Sequence, residues 1–256
     1  MKFAAIRLTE TQGVATLALA RPAQGNAINV RMIEELLTAL HWIEDEAASR
    51  AVVLRGAGRM FCAGIDLADF PLDKRPDVYG FSKWEKVVRA LERLPRITVA
   101  AIDGECVGGG LHLALACDVR VATKRAGFRL NEVGLGFVPG MATFRLAKFI
   151  GLGRAKRLAL TGRAVEAAEA ERIGLVDHLC APAALDAAIS RAVEEFGEFH
   201  ADAHELTRRL LDESFAMSYE DFLGGFLAAQ DRAIQSAPFR DAVRRAHRGG
   251  KAKGKR

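Results

Sequence analysis

Apolar and polar residues alternate along the first 20 positions, with Gly13 placed for a turn, and predict a β-hairpin over roughly 3–8 and 14–20. After Arg21-Pro22 and a polar stretch to Asn26, the spacing of Ile33, Leu36, Leu37, Leu40 and Ile43 predicts a helix over 29–47. Ala51-Val52-Val53-Leu54 reads as a short buried strand, and 56–77, rich in Gly, Pro and Asp, as a long loop. Trp84, Val87, Val88, Leu91 and Leu94 mark a second helix that Pro95 ends. A strand Ile97–Ile102, a turn at Asp103-Gly104, a helix opened by Gly108-Gly109-Gly110 and running through Ala116, and a strand Val119–Ala122 follow. Beyond about 141 the pattern is helical, with one short strand near Leu175–Leu179. Strand–helix units followed by helices predict an α/β protein with an α-helical C-terminal part.

Composition adds limits. Half of the 256 residues are apolar and 27% are charged, which excludes a disordered or collagenous chain. No apolar run approaches the ~18 to 20 residues of a membrane helix, and Met1-Lys2-Phe3-Ala4 opens no signal-peptide pattern, so a cytoplasmic protein is expected. The net charge of +5 is local: residues 240–256 hold eight Lys/Arg against one Asp, and the rest of the chain is slightly acidic. That segment reads as a frayed basic tail rather than an arm for nucleic acid.

Cys62, Cys106, Cys117 and Cys180 form no C-x-x-C pair, so neither a disulfide framework nor a zinc site is expected. His200 and His204 lack the glutamate of a metalloprotease motif, since Ala201 stands in its place. Gly56-x-Gly58 is followed by Phe61 where a dinucleotide fingerprint needs glycine, and no phosphate-binding P-loop occurs. Two other glycine-rich segments remain: Phe61-Cys-Ala-Gly-Ile-Asp66 and Gly104-Glu-Cys-Val-Gly-Gly-Gly110. Facing one another, two such loops would make a backbone oxyanion hole.

These segments carry a resemblance. Leu19-Ala-Arg-Pro-Ala-Gln-Gly-Asn-Ala-Ile-Asn29, Phe61-Cys-Ala-Gly-Ile-Asp-Leu67, Ala100-Ala-Ile-Asp-Gly-Glu-Cys-Val-Gly-Gly-Gly110, Leu113-Ala-Leu-Ala-Cys-Asp118, Asn131-Glu-Val-Gly-Leu-Gly136, Pro139-Gly140 and Ala170-Glu-Arg-Ile-Gly-Leu-Val176 stand in order. From about residue 5 to about 235 the chain resembles the enoyl-CoA hydratase/isomerase (crotonase) superfamily. The resemblance implies a spiral of ββα units over 1–195, an α-helical trimerisation region over 196–239 and the basic tail at 240–256. It also implies an acyl-CoA or acyl-carrier thioester substrate, with coenzyme A as part of that substrate and no separate cofactor or metal. A homotrimer or dimer of trimers is expected, with no membrane or nucleic-acid partner.

By that resemblance the N–H groups of Ile65 and Gly109 form the oxyanion hole. Ala23, Ala63, Gly64, Asp66, Leu67, Gly108 and Pro139 fall at the substrate site. The family's hydratases use two glutamates 20 residues apart; here those positions hold His112 and Glu132. Hydration needs water deprotonated on one side and the α-carbon protonated on the other, whereas moving a double bond needs one base. Glu132 alone therefore favours isomerisation. Hydration assisted by His112 is the second expectation, because imidazole titrates near neutral pH. Tyr79 and Lys83, four apart at a helix start, keep open a third: decarboxylation of a β-carboxy acyl thioester. RNA binding through the basic tail and a scaffold without activity are the readings from other classes. Met141-Ala142, where relatives carry small glycines, is expected to reshape the floor of the pocket.

Overall fold

The computed structural model describes residues 2–71, 73, 77–197 and 200–253. Residues 1–197 form one compact unit and 198–256 another. The first holds strands β1 (Ile6–Thr11), β2 (Val14–Leu19), β3 (Ala51–Gly56), β4 (Ile97–Ile102), β5 (Glu105–Val107), β6 (Val119–Thr123), β7 (Gly127–Arg129), β8 (Val165–Glu166) and β9 (His178–Cys180). Its helices are α1 (Val30–Asp45), α2 (Tyr79–Glu92), α3 (Gly109–Leu115), α4 (Ala142–Ile150), α5 (Leu152–Thr161), α6 (Ala167–Arg172) and α7 (Leu185–Glu194). The second unit holds α8 (Ala201–Glu213), α9 (Tyr219–Ile234) and α10 (Ala237–Lys253).

Six strands form one sheet in the order β1-β2-β3-β4-β6-β9, and three short ones form a second, β5-β7-β8. The hairpin β1–β2 is antiparallel, and every later pairing in the large sheet is parallel. Ile97-Thr-Val-Ala-Ala-Ile102 is buried at every position, as a central parallel strand covered on both faces must be. α1 starts where the Asn29 side chain accepts the Met32 N–H at 2.9 Å, and it buries Met32, Leu36, Ala39, Leu40 and Ile43. α2 buries Trp84, Val87, Val88 and Leu91. It begins a turn earlier than the apolar spacing marks, because the Asp77 carboxylate accepts the Tyr79 N–H at 2.9 Å. The small sheet was not expected from the sequence: its strands are two or three residues long, too short for any alternation to register. From Arg240 to Lys253 the basic residues lie in α10 instead of an irregular tail, and Lys, Arg and Ala are good helix formers.

Two polar pins hold the loops that follow the central strands. Asn26 is fully buried with φ +58°, and its side-chain nitrogen donates to the carbonyls of Ala57 and Met60, both at 2.8 Å, while its oxygen accepts the Arg21 N–H at 3.0 Å. The loop after β3 is thereby fastened to the segment before α1. Asp118, just past α3, accepts the Thr98 N–H at 2.8 Å and its hydroxyl at 2.9 Å, which fixes α3 against the start of β4.

Asn26→Ala strips partners from the Arg21 N–H and the Ala57, Met60 and Phe61 carbonyls at once. Urea denaturation should show a loss of about 3 kcal/mol with an unchanged slope, since one buried unsatisfied group already costs about 1–3 kcal/mol.

Candidate active site

Backbone geometry sets the centre of the site. Ile28 donates to the Gly64 carbonyl at 2.8 Å and accepts the Asp66 N–H at 2.9 Å, so it pairs with the residues on either side of Ile65. In such a bridge the N–H of Ile65 itself points to the opposite edge. That edge faces the glycine triplet: a Cβ built on Gly64, whose φ is +95°, would lie 3.2 Å from the Val107 carbonyl and 3.7 Å from the Gly109 nitrogen. Gly109 opens α3, and the first N–H groups of a helix have no intrahelical acceptor. A side chain at Gly109 would meet the Ile28 Cδ1 at 2.8 Å. Among the described residues neither the Ile65 nor the Gly109 N–H has an acceptor. Both residues line a cavity of about 250 Å³, together with Phe81, Trp84, Glu85, Gly108, His112, Glu132 and the segment Phe137–Met141.

Glu132 stands in a short 3-10 turn, Glu132–Leu135, shortly after β7. The N–H of Gly108 donates to the Arg129 carbonyl at 2.9 Å, which lays this stretch along the glycine triplet. The carboxyl rests on the open face of Gly108, where a Cβ would come within 2.7 Å of Oε1. Only 7% of the residue is exposed, and Oε2 is buried without a hydrogen-bond partner. Burial therefore holds its pKa above the usual carboxylate range, against a smaller opposing backbone hydrogen bond.

His112 is held differently. Its Nδ1 accepts the Trp84 indole N–H at 3.3 Å, and its Nε2 lies 2.8 Å from Arg145 Nη1 and 3.5 Å from Glu85 Oε2. Burial first, and the Arg145 charge second, push its pKa down to about 3. The ring is neutral at physiological pH, and with Nδ1 accepting, its one proton is on Nε2. Arg145, itself 4% exposed, takes Glu85 at 2.7 Å and Glu92 at 2.9 Å. The two glutamates lie seven apart on one face of α2, so α2, α3 and α4 are tied through one guanidinium.

The other expected residues divide. Pro139 and Gly108 line the cavity with Glu132. Asp66 pairs with Arg21 at 2.9 Å, caps the turn Leu67–Asp69, and lines a second, adjoining cavity of about 280 Å³. Lys83 also lines that second cavity; Ile65, Phe81 and Trp84 are shared between the two. Tyr79 is 73% exposed and lines neither, so the pair expected at the head of α2 does not converge on Glu132. It sits in the first, solvent-facing turn, ahead of the buried stripe. Ala23 and Leu67 are exposed, and Ala63 donates to the Gly25 carbonyl at 2.9 Å; none of the three lines either cavity. Met141 does line the cavity that holds Glu132, while Ala142 is the buried first residue of α4. Cys62 and Cys106 are fully buried, and burial raises both thiols, the first to about 12, so they pack rather than react.

Sequence reasoning missed Trp84, Glu85 and Arg145 as site residues. Arg145 had a signal, a lone arginine on the apolar face that Ala142, Leu146 and Ile150 define. Among the described residues no His/Cys/Asp/Glu cluster is placed to hold a metal, and no helix is long and apolar enough to cross a membrane.

Comparison with known proteins bears on this geometry directly. The family model described as enoyl-CoA hydratase/isomerase matches residues 9–249. A short-chain-enoyl-CoA hydratase of Clostridium acetobutylicum is 37% identical over 185 residues, 70% of each chain. The crystal structure of an enoyl-CoA hydratase from Bacillus anthracis superposes with a TM-score of 0.87 at 31% identity, covering 96% of this chain and 97% of that one. A Thermobifida fusca structure, solved in complex with acetoacetyl-CoA, superposes with a TM-score of 0.80 at 30% identity over 90% and 95% of the two chains. The fold is a crotonase fold, and the protein is an enzyme of the hydratase/isomerase type. This chain belongs to the enoyl-CoA hydratase/isomerase family.

Because the Glu132 pKa is raised in the folded protein, its contribution to stability is fully present below the ordinary carboxyl pKa and is lost as pH rises through the raised value. Glu132→Gln should therefore raise Tm at neutral pH. In thermal melts across pH, the gain should vanish below about pH 4, under the ordinary Glu pKa of ~4.3.

Proposed function

We propose that this enzyme isomerises enoyl-CoA thioesters, moving a double bond from the 3- to the 2-position with Glu132 as its one proton shuttle. The observation that carries this is the buried carboxyl of Glu132, with one oxygen free, beside two unpartnered backbone N–H groups in one cavity. In this reading the thioester carbonyl accepts from Ile65 and Gly109. Ionised Glu132 removes a proton from C2, and the negative charge passes to the oxygen of the dienolate. Each backbone donor to that oxygen is worth about 3–4 kcal/mol by analogy with other oxyanion holes. Protonated Glu132 then returns the proton at C4. A carboxyl whose pKa burial raises is a stronger base than a solvated one, which suits a group that must act as base and then acid in one turnover.

His112 supports the reading by what it lacks. With its pKa pushed down to about 3, the buried imidazole takes up no second proton at physiological pH, so it serves as a wall packed against Trp84 and Arg145. The substrate is an acyl-CoA, with coenzyme A the handle and no separate cofactor. Its pantetheine end passes Ala63 and Gly64, with Ala23 and Leu67 at the solvent side of the same loops.

One observation favours a second reading. Glu85 lines the same cavity, 3.5 Å from the ring of His112, where the family's hydratases keep their first glutamate. Held by Arg145, Glu85 is placed to accept from a water, and with Glu132 as acid the pair would hydrate a 2-enoyl-CoA.

The C-terminal helices support self-association. No residue of α8 or α9 is buried, and Leu211, Phe215 and Leu227 are more than half exposed. Such a face needs cover, and a homotrimer or a dimer of trimers supplies it.

With a 3-enoyl-CoA, the conjugated-enoyl absorbance should rise. Glu132→Gln should lower kcat by about 10²- to 10⁴-fold, the range for a general base, with a smaller change in KM. The wild-type rate should fall in acid with a midpoint above the ordinary glutamate range. Full activity in Glu132→Gln would overturn the assignment. A fall in absorbance with a 2-enoyl-CoA, abolished in Glu85→Gln, would establish the hydratase reading instead.

Light scattering after size exclusion should give three or six chain masses. A monomer at micromolar concentration would contradict the assembly.

A further inference from the structure

Away from the catalytic cavity, four arginines converge on a separate polar cavity of about 150 Å³ that shares no lining residue with it. Arg154 and Arg157 project from α5, Arg163 follows the turn at Gly162, and Arg172 ends α6. The only carboxylate among the lining residues is Glu169. Arg163 grips it with two nitrogens, at 2.6 and 2.8 Å, and Arg172 Nη2 stands 3.9 Å from it. That leaves a local excess of three positive charges.

The guanidiniums are poorly compensated. Arg157 has no carboxylate within ion-pair distance among the described residues. Arg154 reaches only the Ile150 carbonyl, at 3.4 Å. The Nε of Arg163 is buried with no partner, although its other nitrogens hold Glu169. Arg154 and Arg157 lie one turn apart on α5, where like charges repel. A buried N–H without an acceptor and an unbalanced group of guanidiniums are both relieved by an anion with several oxygens. Arginine forks match phosphate oxygens in geometry as well as charge.

Size narrows the ligand. At ~30 Å³ per water the space equals about five waters, which admits one phosphate or pyrophosphate group and no nucleoside. We propose that Arg154, Arg157, Arg163 and Arg172 form a phosphate-binding site, distinct from the catalytic cavity, that accepts a phosphate or pyrophosphate group. The group is carried either by the free inorganic ion or by the phosphate end of a coenzyme A molecule whose remainder stays outside.

The site is tested with the full chain by calorimetric titration of inorganic pyrophosphate at constant ionic strength. Saturable binding at one site per chain is expected, and the Arg157→Gln/Arg172→Gln double variant should weaken it at least tenfold. Both side chains are exposed, so the variant should fold, and an unchanged circular dichroism melt without ligand checks this. Arg7→Gln, an exposed arginine on β1, serves as the charge control and should bind as wild type does. Coenzyme A titrated in competition separates the two sources: displacement of pyrophosphate assigns the site to the coenzyme's phosphates, and no displacement assigns it to the free ion. Either result supports the site. Absence of saturable heat, or equal affinity in the double variant and wild type, overturns it.

Discussion

Everything at the active site depends on the near contact of two backbones. The loop after β3 and the segment after β4 approach so closely that a methyl group on Gly104 would overlap the Arg59 carbonyl, at 2.0 Å. Their contact is also a short hydrogen-bonded ladder: Cys62 donates to the Glu105 carbonyl at 3.1 Å, and Val107 donates back to Cys62 at 2.9 Å. Parallel β3 and β4 feed both segments out of the same edge of the sheet, so the loops begin side by side. Asn26 then closes the outer side with its side-chain bonds. The result is two main-chain N–H groups fixed in direction. Donors held in place before the reaction need no reorganisation when charge develops opposite them, which makes such groups effective in a site that excludes water.

That rigidity sets the terms for Glu132. A carboxyl with a buried, unpartnered oxygen is costly in a folded protein, and only a weaker backbone hydrogen bond opposes the burial. The chain has the means to neutralise a carboxylate in this region, because Arg145 lies within the same group of elements. Arg145 is instead committed to Glu85 and Glu92 on α2. Two carboxylates share one guanidinium while Glu132 has none. This division places an ion-paired carboxyl and an unpaired, buried one on the walls of one cavity. His112 sits at the junction of the two, neutral and closed to solvent, and spaces them apart.

The parts of this arrangement were unequally legible in the sequence. The helices α1 and α2 and the central strands were plain, because each carries a long apolar stripe that meets one core. The paired glycine segments were plain too, since few roles other than turns and close backbone approach need so many glycines in order. The strands of the small sheet were not, for their pairing comes from distant residues and not from local pattern. Nor was the Arg145 network. Its members lie 53 and 60 residues apart in sequence, and a charged residue on an apolar helix face reads locally as an exception. Tyr79 illustrates the opposite error. Helical spacing put it on one side of α2 with Lys83, but spacing does not say where the helix begins to be covered, and the first turn is open.

Whether one carboxyl or two take part in the chemistry turns on a competition that the geometry defines. For Glu85 to hold an attacking water it must offer a lone pair toward the cavity while both of its oxygens face Arg145, at 2.7 and 3.4 Å. The longer contact is the weaker one, so Oε2 is the oxygen with capacity to spare, and it is also the one nearer His112. A water there would stand against a neutral ring and an arginine, with its proton delivered to a carboxyl that Arg145 already holds. Glu132 has no such ion pair among the described residues, and burial raises its pKa. Proton abstraction from carbon by Glu132 therefore needs no partner, whereas hydration needs Glu85 to act against its own ion pair. That difference in commitment within one cavity, one carboxyl ion-paired and one with a free oxygen, is the physical ground for proposing isomerisation first.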